Sequence, residues 1–192
     1  TLVDTPVPIT MLDQPIVLFR QTDGTPVALL DRCPHRFAPL SLGKVVGNAI
    51  QCGYHGLEYG ADGKCSHNPH GDGRIPKSAC VRPYPVIERD ALLWVWMGEA
   101  PPAEGVLPPD LSAYLDGTRS QIIRGYYQAH ANYELVTDNL MDLSHAIYLH
   151  PKTLSSDQQH AGKLQIEMKQ DGNRVSALHS YTSTPPTPLF KP

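Results

Sequence analysis

Short stretches of hydrophobic residues, separated by turn signals, run through the first half of the chain. The stretches "PIVLFR" (15–20) and "PVALLD" (26–31) flank Asp23-Gly24, a dipeptide typical of a tight β-hairpin turn. Further stretches of this kind, with their own turns, are "AIQC" (49–52), "LEYGADGKC" (57–65, turning at Asp62-Gly63) and "VRPYPVIERDALLWVWMG" (81–98, turning at Arg89-Asp90). Many short strands at regular spacing predict an all-β sandwich or a small barrel.

A proline-rich stretch without hydrophobic periodicity, residues 98–112, follows these strands and predicts a connector. The 192 residues suffice for one large domain, or for one small domain and part of another. We therefore predict a first domain over residues 1–98, a connector over 99–118 and the beginning of a second domain over 119–192.

The second domain is predicted to combine a helix with strands. Residues 131–150 contain neither Gly nor Pro, and Leu135, Leu140 and Leu143 recur near helical spacing, which predicts one helix. The other predicted elements are a strand over 120–130 and a hairpin over 162–183 that turns at Asp171-Gly172. The expected fold class is therefore mainly β, followed by an α+β part.

Composition and charge narrow the class of partners. Hydrophobic residues make up 41% and charged residues 18% of the chain, which is typical of a globular protein. The net charge of −3 and the lack of a basic block disfavour nucleic acid and anionic membranes as partners. No apolar run approaches the ~20 residues of a membrane helix, and no signal peptide opens the chain.

Two loops rich in Gly and Pro each carry one cysteine and one histidine, in the patterns Cys33-x-His35 and Cys52-x-x-His55. Two thiolates and two imidazoles can bind either zinc or a [2Fe–2S] cluster. Zinc modules usually pair like with like, whereas each loop here supplies one sulfur and one nitrogen. This favours a binuclear cluster, with one iron on the cysteines and the other on the histidines. Zinc, or buried cysteines beside incidental histidines, are the alternatives.

With Pro34, Gly53 and Gly56 beside the four ligands, the two loops resemble the Rieske iron–sulfur domain. Respiratory Rieske domains carry a further cysteine in each loop, and these two form a disulfide; the resemblance places Ala38 and Tyr54 at those positions. It therefore implies a ferredoxin-type or oxygenase-type cluster in a reducing cytosol, with fewer hydrogen bonds to sulfur. Its potential is expected near the low end of the ~−150 to +300 mV range.

A second constellation, Asp142, His145 and His150, lies in the predicted helix. Asp142 and His145 are three positions apart and share a helix face. His145 and His150 are about 140° apart on an ideal helix, so they converge only if a bulge or a helix end lies between them. Two histidines and a carboxylate form the facial triad of non-haem Fe(II) oxygenases. A surface or core helix that happens to contain histidines is the alternative.

Beside a Rieske-like domain, "ALLWVWMG" and "DNLMDLSHAIYLHP" resemble the α subunit of the Rieske non-haem iron oxygenases. "DRCPHRFAPLSLGKV" and "NPHGDGRIP" are similar to the group that contains vanillate O-demethylase and dicamba monooxygenase. Asn139, Asp142, His145 and His150 match the family motif Asn/Asp-x-x-Asp-x-x-His-x-x-x-x-His. The resemblance implies a Rieske [2Fe–2S] β-sandwich domain, followed by the start of a truncated helix-grip-like catalytic domain.

The resemblance also assigns roles to these residues. It implies Cys33, His35, Cys52 and His55 as ligands of the [2Fe–2S] cluster. His145 and His150 are then ligands of a mononuclear Fe(II), Asp142 is an inter-subunit electron-transfer bridge, and Asn139, with Tyr133, supports the catalytic site. The remaining cysteines and histidines are interpreted as ordinary strand, surface or loop residues: Cys65, Cys80, His67, His70, His130, His160 and His179.

The family's third iron ligand is an aspartate far downstream. The later carboxylates of this chain, Asp157, Glu167 and Asp171, do not stand in the family's context. Because the chain also begins with Thr1 rather than Met, we expect a fragment that lacks a short N-terminal piece and a long C-terminal one.

The implied function is that of the terminal oxygenase component of a monooxygenase. It would receive NAD(P)H electrons through a separate reductase and use O₂ to demethylate or hydroxylate a small, vanillate-like aromatic acid. A homotrimer, a cytoplasmic location, and no nucleic-acid or membrane partner are also expected. The alternatives are a Rieske electron-transfer protein without oxygenase chemistry, which leaves the Asp142-His145-His150 pattern unexplained, and a degenerate non-catalytic module.

Overall fold

A computed structural model describes residues 5–115, 125, 127–150, 153 and 164–181. The Cα positions divide the chain into two compact units, Thr1–Ile123 and Arg124–Pro192. The domain limits expected from the sequence stay a prediction. Among the described residues, no helix is long and apolar enough to cross a membrane.

The described part of the first unit consists mainly of short antiparallel strands. In chain order they are β1 (Val7–Met11), β2 (Gln14–Arg20), β3 (Pro26–Leu30), β4 (Lys44–Val46), β5 (Ala49–Gln51), β6 (Glu58–Tyr59), β7 (Cys65–His67), β8 (Pro83–Tyr84), β9 (Val86–Arg89) and β10 (Leu92–Val95). One sheet has the order β1-β2-β3-β8, a second has the order β4-β5-β6-β7, and β9 pairs with β10. The predicted mainly-β class is confirmed.

Strand β2 is buried on both faces, which explains its unbroken hydrophobic run. Val17 and Phe19 belong to one core together with Ile50 and Tyr59 of the second sheet. The residues that alternate with them belong to another core, with Tyr84 and with side chains of β9 and β10. Since successive side chains of a strand point to opposite faces, β2 lies between these two cores.

The hairpin turns form where the dipeptides predict them. Gly24 has a φ of 86° in the turn between β2 and β3, and Gly63 has a φ of 75° in the turn between β6 and β7. A Cβ on Gly63 would lie 2.0 Å from the main-chain oxygen of Val81, so only glycine fits there. The β9–β10 turn instead places Asp90 and Ala91 at positive φ, a strained conformation for residues with a Cβ.

This strained turn fastens the connector that follows β10. Arg89 Nη1 donates to the oxygen of Pro108 at 2.7 Å, and its Nη2 lies 3.4 Å from Asp110 Oδ2. Asp90 Oδ2 accepts the N–H of Leu111 at 2.7 Å. The Asp90 side chain is only 12% exposed, so this hydrogen bond is largely shielded from water. Two neighbouring turn residues therefore tie residues 108–111 of the connector to the β-sheet unit.

In the described part of the second unit, two helices form where one was predicted. Its helices are α1 (Tyr133–Met141) and α2 (Ala146–Leu149), with a 3₁₀ turn over Leu143–His145 between them. Helix α1 begins where Asn132 Oδ1 accepts the N–H of Glu134, and it ends at Asp142, whose ψ of 91° is extended. The expectation of a single helix over 131–150 was therefore wrong. A helix end between the two motif histidines was the condition for their convergence, and the end of α2 at Leu149 meets it.

A hairpin follows in the second unit, as predicted. Strands β11 (Leu164–Asp171) and β12 (Arg174–Tyr181) pair in antiparallel register around Gly172, whose φ is 57°. The predicted strand over 120–130 lies partly outside the described residues. Its described residues, 125 and 127–130, are not in a strand.

We expect the substitution Asp90→Ala to release the connector, because it removes the carboxylate that accepts the Leu111 N–H. A hydrogen bond to a charged group stabilises by about 1.5–3 kcal/mol, so local opening should rise roughly tenfold or more. Limited proteolysis within residues 98–112 measures this, since cleavage follows the opening equilibrium when opening is fast. Glu104→Ala removes an exposed carboxylate from the same segment and serves as the control. Equal cleavage of Asp90→Ala and wild type would contradict the role of this turn.

Candidate functional site

The two ligand loops share one backbone arrangement. In each loop the cysteine N–H donates to a carbonyl five residues later, and the cysteine carbonyl accepts an N–H four residues later. The bonds are Cys33 N–H to Ala38 O (2.9 Å), Phe37 N–H to Cys33 O (2.8 Å), Cys52 N–H to Leu57 O (2.8 Å) and Gly56 N–H to Cys52 O (2.9 Å). The fourth residue has a positive φ, 59° at Phe37 and 75° at Gly56. Two separate segments therefore fold in the same way around a cysteine.

A buried carboxylate closes the first loop. Asp31, which follows β3, accepts the N–H of Ser41 at 2.7 Å and its hydroxyl at 2.5 Å. Ser41 belongs to the short 3₁₀ helix Leu40–Leu42, whose Leu40 is fully buried. The two ends of the loop around Cys33 are thus tied together.

The sulfur atoms lie inside the protein and the imidazoles lie towards its surface. Cys33 and Cys52 are 1% and 2% exposed and pack in the main hydrophobic core. His35 is exposed and His55 is half-buried, and their ring centroids are 4.6 Å apart. The four predicted ligands are therefore brought together from the two loops, with sulfur on the inner side and nitrogen on the outer side.

Burial changes the acidity of Cys52, one of the two inner residues. It is the largest cause that raises the pKa of the Cys52 thiol, and the neighbouring Cys33 raises this pKa further. The main-chain N–H groups of Tyr54 and His55 donate to the Cys52 sulfur and act in the opposite direction. A cationic iron bound to this sulfur would offset the cost of burying a thiolate.

The surroundings of His55 favour its neutral imidazole. Burial is the largest cause that lowers the pKa of His55. The positive charges of His35, His70 and Arg36 lower it further. A lowered pKa keeps the ring uncharged at neutral pH, and the neutral ring is the form that binds a metal. His55 is therefore poised as a nitrogen ligand.

A tyrosine outside both motifs contacts one of the sulfurs. The Tyr59 hydroxyl lies 3.3 Å from Cys33 Sγ, and the Tyr59 side chain is fully buried. Burial is the largest cause that raises the pKa of Tyr59, and the contact with Cys33 raises it further. The hydroxyl therefore keeps its proton. A metal-bound thiolate only accepts hydrogen bonds, and Tyr59 would therefore donate to it. Sequence reasoning missed this residue because it stands apart from the Cys/His spacing.

The residues of this site fit a [2Fe–2S] cluster. The donor set is two sulfurs and two nitrogens. Two main-chain N–H groups donate to the Cys52 sulfur and the Tyr59 hydroxyl contacts the Cys33 sulfur, which suits thiolate ligands. The four cysteines of the chain are free thiols in the structure.

A third loop, residues 68–79, lies on the imidazole side. Together with His35 and His55 it lines a cavity of about 480 Å³. In this loop, His70 Nε2 lies 2.7 Å from the main-chain oxygen of His55. The sequence treats His70 as an ordinary loop residue, since it has no motif spacing to the ligands. Its place in the Gly- and Pro-rich segment "NPHGDGRIP" is the one signal that could have singled it out.

In the second unit, the structure brings the two motif histidines together. His145 precedes α2 and His150 follows it, and their ring centroids are 5.6 Å apart with the rings at 70°. The end of α2 at Leu149 lies between them and makes this possible, because the backbone of His150 is no longer helical (φ −122°, ψ 47°); an unbroken helix would point the rings apart. Both imidazoles can therefore face one position.

Asp142 is exposed and held as a carboxylate beside these histidines. Its Oδ1 accepts the N–H of Ser144 at 3.0 Å and the Ser144 hydroxyl at 2.6 Å. The hydroxyl is the largest cause that lowers the pKa of Asp142; the positive charges of His145 and His179 lower it further. Within this unit, Asp142 therefore interacts with His145 through charge, and its hydrogen-bond partner is Ser144.

The other residues that the sequence singled out in this unit lie on α1, on β11 or outside the described residues. Asn139 lies in the last turn of α1, and Tyr133 is its first residue. Glu167 lies on β11 and Asp171 ends that strand, while Asp157 lies outside the described residues. In the described part of the chain, no group of three or more His, Cys, Asp or Glu residues is arranged to hold a metal ion.

Two family models match separate parts of this chain. The family model of the Rieske [2Fe-2S] domain matches residues 2–85. The family model of the vanillate O-demethylase oxygenase C-terminal domain matches residues 129–192. A Rieske iron–sulfur domain is thus followed by part of an oxygenase domain. The chain belongs to the family of Rieske non-haem iron oxygenase components, in the group of the dicamba and vanillate O-demethylases.

Individual relatives show the same resemblance. The oxygenase component of dicamba O-demethylase from Stenotrophomonas maltophilia is 43% identical over 98% of this chain and 55% of its own length. A vanillate O-demethylase oxygenase subunit from a Pseudomonas species is 34% identical over 83% of this chain and 47% of its own. The crystal structure of dicamba monooxygenase bound to dicamba superimposes with a TM-score of 0.84 at 42% identity, over 97% and 55% of the two chains. The chain spans about half the length of the curated relatives it matches.

We expect Tyr59→Phe to lower the reduction potential of the bound cluster. A hydrogen bond to a sulfur ligand stabilises the more negative, reduced state, and one net hydrogen bond of about 0.5–1.5 kcal/mol corresponds to roughly 20–65 mV. A redox titration followed by EPR measures the change. Tyr84→Phe, which alters a buried tyrosine in the other core, should leave the potential unchanged; an equal potential in Tyr59→Phe and wild type would contradict the role of Tyr59.

Proposed function

We propose that this chain is part of the terminal oxygenase component of a Rieske-type monooxygenase. The complete protein would accept electrons from a reductase and use O₂ to demethylate or hydroxylate a small aromatic acid. The observation that carries the proposal is the presence of two ligand sets on one chain. The paired Cys/His loops suit an electron-transfer cluster, and the converging His145 and His150 suit a separate iron.

The residues divide between two metal groups. Cys33 and Cys52 would hold one iron of the cluster, and His35 and His55 the other. His145 and His150 would hold the mononuclear iron, with a carboxylate as the third ligand. When bound, these groups pass single electrons that originate from NAD(P)H and activate O₂.

The protein contributes order and charge to this chemistry. Burial keeps water from the cluster sulfurs, and the neutral His55 stands ready as a ligand. Ser144 holds Asp142 as an exposed carboxylate, so Asp142 is available to an imidazole of a neighbouring subunit. We therefore propose a homotrimer in which Asp142 bridges the cluster of one subunit and the iron of the next, with Asn139 in support.

The substrate class follows from the relatives. The similar proteins named above take their names from dicamba and vanillate, each an aromatic acid with a methoxy group. Insertion of one oxygen atom into a methoxy C–H bond gives a hemiacetal, which releases formaldehyde and leaves a phenol. The chain's part in such a reaction is to hold the C–H bond near the iron and to admit electrons one at a time.

The cysteines of the chain bear on the location of the protein. Four free cysteines, one of them exposed, suit the reducing cytoplasm, which we propose as the location.

A protein that only carried electrons would need the two loops of the first unit but not the ring pair of His145 and His150. That pair favours the oxygenase over the carrier.

Turnover of the full-length protein tests the proposal. With a reductase, NADH and a panel of methoxybenzoates, we expect formaldehyde in step with the demethylated phenol and with O₂ consumption. Benzoates without a methoxy group are the controls for formaldehyde. If no member of the panel gave formaldehyde or a hydroxylated product, the oxygenase assignment would be wrong.

Two substitutions separate the metal groups. We expect His55→Ala to abolish the visible absorption of the cluster, because it removes one ligand of the outer iron. His150→Ala should leave this absorption intact and stop oxygenation, because it affects only the mononuclear iron. Absorption spectra and product assays on the same samples measure both effects, and His130→Ala serves as the control. Full turnover in either ligand variant would refute this division.

A further inference from the structure

An imidazole outside the ligand motifs contacts the backbone of a ligand. His70 Nε2 lies 2.7 Å from the main-chain oxygen of His55. A carbonyl oxygen only accepts, so Nε2 carries a proton and donates it. The two rings meet edge to face, with centroids 6.1 Å apart. His70 therefore acts on His55 from a separate loop.

Hydrogen bonds within the third loop fix the backbone of His70. Its N–H donates to Asn68 Oδ1 at 3.1 Å, and its carbonyl accepts the N–H of Gly73 at 3.0 Å. Asn68 Nδ2 also donates to the oxygen of Arg74 at 2.8 Å, which closes the loop. Gly71 and Gly73 have positive φ values that these turns require. The loop thus presents the His70 ring in a defined place.

The peptide that follows the ligand is held at both of its polar groups. The peptide unit between His55 and Gly56 donates its N–H to the oxygen of Cys52, and its carbonyl accepts the proton of His70. Pro69 packs beside it, since a Cβ on Gly56 would lie 3.2 Å from Pro69 Cγ. Because a peptide unit is planar, these two bonds fix its orientation and with it the backbone of His55.

We propose that His70 is a positioning residue for His55, which it orients as a cluster ligand; this inference rests on the proposed function of the site. By holding the His55 carbonyl, His70 sets the direction in which the His55 ring leaves the backbone. Partners of this kind orient metal ligands and tune the metal, although they do not bind it. The electronic properties of the cluster and its retention should therefore both depend on the His70 N–H.

The test compares variants that keep and lose this donor in the cluster-loaded protein. His70→Phe keeps an aromatic ring but has no N–H, whereas His70→Gln keeps an N–H close to the position of Nε2. We expect His70→Phe to shift the EPR g values of the reduced cluster. It should also lose the cluster roughly two- to tenfold faster, the factor that one net hydrogen bond confers. His70→Gln should remain close to wild type in both measurements.

The matched control is His67→Phe, which makes the same change at an exposed histidine of the neighbouring strand β7. Spectra and cluster lifetimes that are alike in wild type, His70→Phe and His67→Phe would overturn the inference, as would equal effects of His70→Phe and His70→Gln. If His70→Phe does not fold, His70→Asn replaces it, because its shorter amide cannot reach the His55 oxygen. A wild-type protein without a Rieske EPR signal would instead contradict the proposed function.

Discussion

The paired backbone hydrogen bonds around Cys33 and Cys52 are the constraint on which the first unit depends. They turn each loop so that a sulfur enters the hydrophobic core while the histidine of the same loop stays near the surface. A buried thiolate is costly unless donors and a cation compensate its charge. The N–H groups around Cys52 and the Tyr59 hydroxyl at Cys33 supply the donors. The site is thereby prepared for a metal group with sulfur and nitrogen sides.

The surrounding sheets hold this arrangement in place. Strand β2 carries the core on which both sulfurs rest, and its opposite face packs on the β9–β10 side. The turn of Arg89 and Asp90 then fastens the connector to the same unit. The loop of His70 lies on the imidazole side. Core packing therefore stabilises the two ligand loops on the sulfur side, and a hydrogen bond stabilises them on the imidazole side.

Local sequence patterns predicted the elements whose formation depends on interactions between residues close in the chain. The hairpins at Asp23-Gly24 and Asp62-Gly63 formed as expected, because glycine can adopt a positive φ at low cost. The helix over 131–150 was predicted in one piece because it lacks Gly and Pro. The predicted helix breaks at Asp142, whose carboxylate accepts hydrogen bonds from the N–H and the hydroxyl of Ser144. Aspartate and serine compete with the helical backbone in this way, but their identity alone does not tell which will prevail.

By itself, the sequence determined the donor atoms: two Cys/His pairs in glycine- and proline-rich loops, and an Asp-His-His series near a helix. It determined the family as well, since motif order and spacing are properties of the chain. Only the tertiary structure decided which further residues join the sites. Tyr59 reaches Cys33, and His70 reaches the carbonyl of His55, across distances in sequence that no local pattern encodes. Such contacts arise from the packing of separate strands and loops, because a hydrogen bond depends on position in space and not on separation along the chain.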